Sequence, residues 1–260
     1  MEASAKIQGE EIEYTADDLT LQGYLAYDDE VEGERPGILV VHEWWGHNEY
    51  ARKRARMLAE LGYTAFALDM YGKGKQADHP KEAGEFSSQV MQNLDVAKAR
   101  FIAALEQLQN HKTVDAGQVA AIGYCFGGGV VLNMALMSVD LDGVVSFHGS
   151  LPASLPEGAG EVKAEVLVCH GADDPFVKPE QVKQFKGLME EQNVDYKLVE
   201  YPGAKHSFTN PDADTFGKKF ELPLEYNKKA DEESWEDMQE FFDRIFAGEM
   251  EEEEMEDMEE

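Results

Sequence analysis

The chain has 260 residues and a formal net charge of −30, a size that suits one large α/β domain, since a single core grows to roughly 250 residues before division is favoured. That excess of acid repels nucleic acid and anionic membrane surfaces, which excludes both as partners, and it aids solubility at high salt. Hydrophobic residues make up 43% of the chain, enough for a sizeable core, and no apolar run approaches the roughly 18 residues that cross a bilayer, so a soluble protein is expected.

The first fourteen residues, MEASAKIQGEEIEY, lack a basic start followed by an apolar stretch, so no signal peptide is expected. The two cysteines, Cys125 and Cys169, sit in apolar surroundings that read as separate strand ends, which predicts two free thiols and a cytoplasmic location. Glu11–Tyr14 and Thr20–Tyr27 alternate polar and apolar residues around Asp17 and Asp18, the pattern of an edge hairpin. Pro36–His42 (PGILVVH) is a continuous apolar run, as expected of a strand buried on both faces. A helix over Asn48–Leu61, stopped by Gly62, and a short strand over Thr64–Leu68 complete a βαβ unit. The loop from Asp69 to Gly74 leads through a polar stretch, expected to be irregular, to a helix centred on Asn93–Leu108.

Further on, the pattern predicts strands over Val119–Tyr124, Gly143–Phe147, Glu165–Cys169 and Tyr196–Tyr201. Helices are predicted over Gly129–Met137, Pro179–Gln192 and Glu232–Phe246. Strands interleaved with crossover helices imply an α/β fold: a single, doubly wound, mostly parallel sheet with helices on both faces and right-handed crossovers. This domain is expected to cover residues 1–248. Nine of the last twelve residues are acidic and the other three are Met, so 249–260 reads as a solvated, disordered tail.

Gly123-Tyr124-Cys125-Phe126-Gly127 has the form G-x-nucleophile-x-G at a strand-to-helix junction. A nucleophile there must occupy a strained turn to stand clear of the sheet, and flanking glycines remove the Cβ atoms that would clash. The helix that follows points its N-terminal dipole at the sulfur, a setting that stabilises negative charge. Cys169 ends a strand without flanking glycines and reads as a small core residue. In α/β-hydrolase folds an acid and then a His follow the nucleophile in the chain. Asp173 and Asp174 follow the strand Glu165–Cys169, and His206 follows the strand Tyr196–Tyr201. These loops lie outside the carboxyl ends of parallel strands, where open α/β sheets bind ligands. Spacing alone leaves Asp173 and Asp174 near even. His42 and His170 compete with His206 for the role of base, but both sit at strand ends where a structural His is expected. His148 ends a strand at the same edge and is a candidate pocket residue.

The motifs His42-Glu43-Trp44-Trp45-Gly46, Gly123-Tyr124-Cys125-Phe126-Gly127-Gly128, Gly171-Ala172-Asp173-Asp174-Pro175-Phe176-Val177 and His206-Ser207-Phe208 resemble the dienelactone hydrolase family, from about Pro36 to the final helix. The resemblance implies a Cys125–Asp174–His206 triad and selects Asp174 over Asp173. It gives Glu43 the role of pairing with the thiol in the resting enzyme and taking its proton when substrate arrives. It places the oxyanion hole at the backbone N–H groups of Phe126 and Trp44, and Trp45, Tyr71, His148 and Phe176 are expected around the substrate. No cofactor or metal is implied, and the scattered His residues show no zinc-ligand spacing.

Dedicated dienelactone hydrolases hold the substrate carboxylate with two arginines, one before the long helix and one shortly after the catalytic His. Between Tyr71 and Ala99, and between Ser207 and Lys218, this chain has none; Lys73, Lys75 and Lys205 are less specific substitutes. The expected reaction is therefore hydrolysis of a small ester or lactone, favouring a neutral short-acyl ester, through a thioester acyl-enzyme. The competing readings are a thioesterase or other acyl hydrolase on the same scaffold, and a non-catalytic small-molecule binding protein.

Overall fold

The computed structural model describes the backbone of residues 6–257 and the side chains of residues 6–247. Among these residues, eight strands form one sheet: β1 (Ile7–Ala16), β2 (Leu19–Asp28), β3 (Arg35–Val41), β4 (Thr64–Leu68), β5 (Val114–Tyr124), β6 (Gly143–Phe147), β7 (Glu165–Gly171) and β8 (Tyr196–Tyr201). Their order is β1-β2-β4-β3-β5-β6-β7-β8. The hairpin β1–β2 and the pair β2–β4 are antiparallel; every later pairing is parallel. This is the α/β-hydrolase fold. Of the two hairpin strands only β1 is an edge, because β2 pairs on its other side with β4.

Among the described residues, seven helices accompany the sheet: α1 (Glu49–Glu60), α2 (Pro80–Met91), α3 (Leu94–Gln109), α4 (Phe126–Leu136), α5 (Pro179–Glu191), α6 (Ala213–Phe220) and α7 (Lys228–Asp257). The run in β3 shows why the central strands read as unbroken apolar segments. Leu39 and Val41 join a core with α3, α4 and α5, whereas Ile38 and Val40 join a second core with α1 and α7. Successive side chains on a strand point to opposite faces, so a strand covered on both sides has no polar position to spare.

Two helices depart from the sequence expectation. The stretch expected to be irregular contains α2, started by Pro80 at its first position with the His79 ring accepting the Lys81 N–H at 3.1 Å. Only Ala83 and Val90 of α2 are buried, too sparse a stripe to announce a helix. The eight-residue α6 follows the His206 loop and ends at Glu221 in the left-handed conformation. At the other end of the chain, the α7 backbone continues through the acidic segment to Asp257, where no regular structure was expected; Glu and Met are good helix formers. The side chains of 248–257 and all of 258–260 lie outside the described residues.

A candidate active site at the sheet's carboxyl edge

Cys125 stands between β5 and α4 with φ 55° and ψ −112°, a conformation that costs an L-residue about 1–3 kcal/mol and concentrates at functional sites. The flanking glycines make the turn possible. A Cβ on Gly127 would lie 2.3 Å from the Val41 carbonyl oxygen, and one on Gly123 would lie 2.0 Å from the Gly127 oxygen. The Cys125 N–H donates to the Phe147 carbonyl at 3.0 Å, which pins the turn to the end of β6.

The loops after β7 and β8 bring two further side chains to the sulfur. His206 Nε2 lies 3.1 Å from Cys125 Sγ, and His206 Nδ1 lies 2.7 Å from Asp174 Oδ2. The other Asp174 oxygen accepts the Phe176 N–H at 2.8 Å, so both carboxylate oxygens are engaged. Asp173, left near even by spacing, is exposed, whereas Asp174 is buried. Burial alone would lower the pKa of His206; the facing Cys125 sulfur and the Asp174 carboxylate outweigh it and push it up to about 10. An imidazole with one nitrogen on a carboxylate and the other on a nucleophile is oriented to take and return a proton.

Glu43 is also brought into this region, buried at 2% exposure, but in a different arrangement from the one the family resemblance implies. Its Oε2 accepts from Asn210 Nδ2 at 2.6 Å, and its Oε1 has no hydrogen-bond partner among the described residues. The sulfur is on His206 and the Glu43 carboxylate is turned to Asn210. Burial raises the Glu43 pKa, opposed by the Asn210 amide, the nearby Ser207 hydroxyl and the charges of His206 and Arg54.

A cavity of about 230 Å³ opens at the sulfur, lined by Trp44, Ser87, Ser88, Met91, Cys125, Phe126 and Ser150. None of its lining side chains other than the nucleophile is ionisable. Trp44 and Phe126, whose N–H groups are the expected oxyanion donors, both flank it. The four expected pocket residues sit elsewhere around the site. Trp45 is buried, stacked on Phe216 and Phe220; Tyr71 donates its hydroxyl to the Trp44 carbonyl at 3.1 Å. His148 is fully buried against His206. Phe176, 48% exposed, sets its ring edge-to-face with His206 at 4.9 Å. The rival histidines have structural partners or deeper positions: His42 Nδ1 is 2.6 Å from the Glu43 carbonyl and its Nε2 accepts the Met70 N–H, and His170 is buried.

The lysines considered as carboxylate ligands are engaged outside the cavity. Lys73 pairs with Glu13, Lys205 with Glu225 at 2.6 Å, and Lys75 lies over the Phe86 ring. Arg100, one residue beyond the arginine-free stretch from Tyr71 to Ala99, donates to the Met70 carbonyl at 2.5 Å and borders a separate space with Lys75 and Phe86. Sequence reading missed Ser87, Ser88 and Met91 because it missed α2. It missed Asn210 because an amide four residues after a candidate base carries no motif. Among the described residues, no three His, Cys, Asp or Glu side chains are grouped to hold a metal ion, both cysteines are free thiols, and no helix is long and apolar enough to cross a membrane.

Known proteins share this arrangement of strands and loops. A family model described as the dienelactone hydrolase family matches residues 21–246. The protein usf of Aquifex pyrophilus is 30% identical over 207 residues, covering 78% of this chain and 87% of its own length. A protein of Saccharolobus solfataricus, named as a candidate carboxymethylenebutenolidase, is 26% identical with 90% and 98% coverage. The crystal structure of P91, a dienelactone hydrolase-like promiscuous phosphotriesterase from metagenomic libraries, superposes with a TM-score of 0.87 at 34% identity, covering 93% of this chain and 99% of its own. The chain belongs to the dienelactone hydrolase family.

Proposed function

We propose that the protein hydrolyses small, uncharged carboxylic esters or lactones, with Cys125 as nucleophile, His206 as general base and acid, and Asp174 as the group that orients it. The observation that carries this reading is the continuous chain from sulfur to imidazole to carboxylate, 3.1 Å and 2.7 Å long, ending at a cavity without charged walls. The Cys125 thiol proton passes to His206 Nε2, 3.1 Å away, and the sulfur attacks the carbonyl carbon, forming a C–S bond while the carbonyl electrons move to oxygen. The Phe126 and Trp44 amides stabilise that oxyanion; losing one such donor costs about 100-fold or more in rate. Collapse breaks the C–O bond, and the departing alkoxide takes its proton from His206. Water then gives a proton to His206 as its oxygen bonds to the thioester carbon; collapse breaks the C–S bond, His206 returns the proton to the sulfur, and the acid is released.

The uncharged cavity supports a neutral substrate with a short acyl group over a small carboxylate such as dienelactone. A panel of p-nitrophenyl acetate, neutral lactones, thioesters and dienelactone, run with wild type and Cys125→Ala, tests both parts. Neutral esters should turn over fastest and the variant should lose turnover. Faster hydrolysis of dienelactone would sink the substrate assignment, and activity retained in the variant would sink the nucleophile. A second reading, cleavage of neutral phosphotriesters by the same sulfur, is favoured by the uncharged cavity together with the 34% identity to P91; a phosphotriester in the panel decides it.

A further inference from the structure

Behind His206 lies a buried polar chain that the proposed reaction does not use. His148 follows β6 with φ 41°, an unfavourable backbone for a side chain of its size, and is fully buried. Its ring stands edge-to-face with His206, centroids 5.5 Å apart. His148 Nε2 is 2.7 Å from Thr209 Oγ1, which is 2.6 Å from Tyr50 Oη. Arg54 Nε donates to that phenol at 3.2 Å, and the guanidinium also donates to the Thr209 carbonyl at 2.7 Å and to Asp231 at 2.5 Å. Four separate parts of the chain, α1, the strand end at 148, the His206 loop and the start of α7, thus meet on one buried cation.

The direction of this chain follows from hydrogen-bond chemistry. Arg54 can only donate, so Tyr50 Oη accepts from it. The phenol hydrogen then goes to Thr209, the Thr209 hydrogen goes to His148 Nε2, and the imidazole carries its own hydrogen on Nδ1. Reversing the sense would strand the phenol hydrogen as well as leave Nδ1 a bare acceptor. His148 Nδ1 has no partner among the described residues, so the forward sense leaves one unmatched group and the reverse leaves two; buried unmatched groups are costly.

We propose that His148 is a positioning residue for His206: an uncharged imidazole, fixed in its Nδ1–H form by the Thr209 and Tyr50 hydroxyls and anchored by Arg54, which braces the catalytic ring without sharing its proton. This rests on His206 acting as the general base. His206 carries an imidazolium charge between the Cys125 sulfur and Asp174, and a second positive ring 5.5 Å away would repel it and lower its basicity. Apart from its own backbone, which favours the charged form, the groups facing His148 act against its charging or are neutral. His206 and Thr209 face it from the loop after β8, Arg54 acts from α1, Tyr124 lies beside it from β5, and its N–H is held by the Cys169 carbonyl of β7. Its pKa is pushed well down, by burial first and then by His206 and Arg54.

The test removes the relay hydroxyl and puts it back. Thr209→Val keeps the side-chain shape and should lower kcat about 10-fold with KM within about twofold, whereas Thr209→Ser should restore kcat. Nitrogen-15 NMR of the wild-type histidines should show His148 neutral and protonated on Nδ1 throughout about pH 5–8, across which an ordinary histidine titrates. A wild-type kcat in Thr209→Val, or a wild-type His148 that titrates in this range or carries its proton on Nε2, overturns the proposal. Should Thr209→Val fail to fold, Thr209→Ser and the wild-type spectrum still decide. The spectrum is recorded without substrate, so its outcome is independent of the nucleophile, which Cys125→Ala tests separately.

Discussion

Two buried carboxylates stand beside the Cys125–His206 pair, and they are provided for differently. Asp174 has both oxygens engaged, one by the His206 ring and one by the Phe176 N–H. Glu43 has one oxygen on Asn210 and, among the described residues, no partner for the other. A carboxylate with both oxygens answered is a fixed part, suited to holding an imidazole in one tautomer. A buried carboxylate with an unanswered oxygen is poised to accept a proton, because burial already favours its neutral form. The acid that orients and the acid that can exchange protons are thereby distinguished by their partners, although both are buried.

Substitution can break that distinction. Asp174→Asn keeps the shape but should misorient His206, and a fall of about 10⁴-fold in kcat/KM is expected from the behaviour of such triads. Glu43→Gln should cost less, about 100-fold, the lower end of the range for a group assisting proton transfer. Steady-state kinetics on one neutral ester measures both. Equal losses would erase the difference in role, and an unaffected Glu43→Gln would make Glu43 a structural acid only.

The same contrast extends to stability against pH. His206 has a folded pKa of about 10 against an ordinary value of 6.5. Its bound proton therefore stabilises the fold fully below pH 6.5, and that stabilisation is lost as pH rises towards about 10. Urea unfolding across that window should show declining stability in wild type and a shallower decline in Cys125→Ala, which removes the sulfur facing the imidazole. Parallel curves would mean that the sulfur does not hold the proton. The Glu43 pKa is raised by burial, so its contribution is present at low pH and falls once the unfolded chain releases the proton in the ordinary carboxylate range. Glu43→Gln should accordingly be more stable at about pH 7, by on the order of 1 kcal/mol, with the gain vanishing at pH about 4 and below. This is the smallest effect, and a variant less stable than wild type at neutral pH would contradict it.

The regions differ equally in how openly the sequence declares them. The sheet was legible because β3, β4 and β6 are apolar on every residue or nearly so, which only a doubly covered strand requires. The elbow was legible because Gly123 and Gly127 answer a steric demand that no other residue meets. The helix α2 was not, since a polar surface helix with two buried positions has almost no periodicity to detect, and with it went one wall of the cavity. Arg54 was illegible for a different reason. On a helix it reads as a solvated charge, yet it is 3% exposed, and its ion-pair partner Asp231 lies 177 residues away in the chain. Glu43 came from family resemblance, and its partner Asn210 is visible only once the two loops are folded together. Local signals thus revealed the nucleophile and its edge of the sheet, while the partners that tune the site are long-range.

The central claim is that Cys125 carries the acyl group. Wild-type protein mixed with excess p-nitrophenyl acetate and quenched in acid within the first turnover should gain the mass of one acetyl group, located on the peptide containing Cys125, with a matching burst of p-nitrophenol. Cys125→Ala should show neither the adduct nor the burst. An acetyl group on another residue, or a burst that survives in Cys125→Ala, would contradict the account.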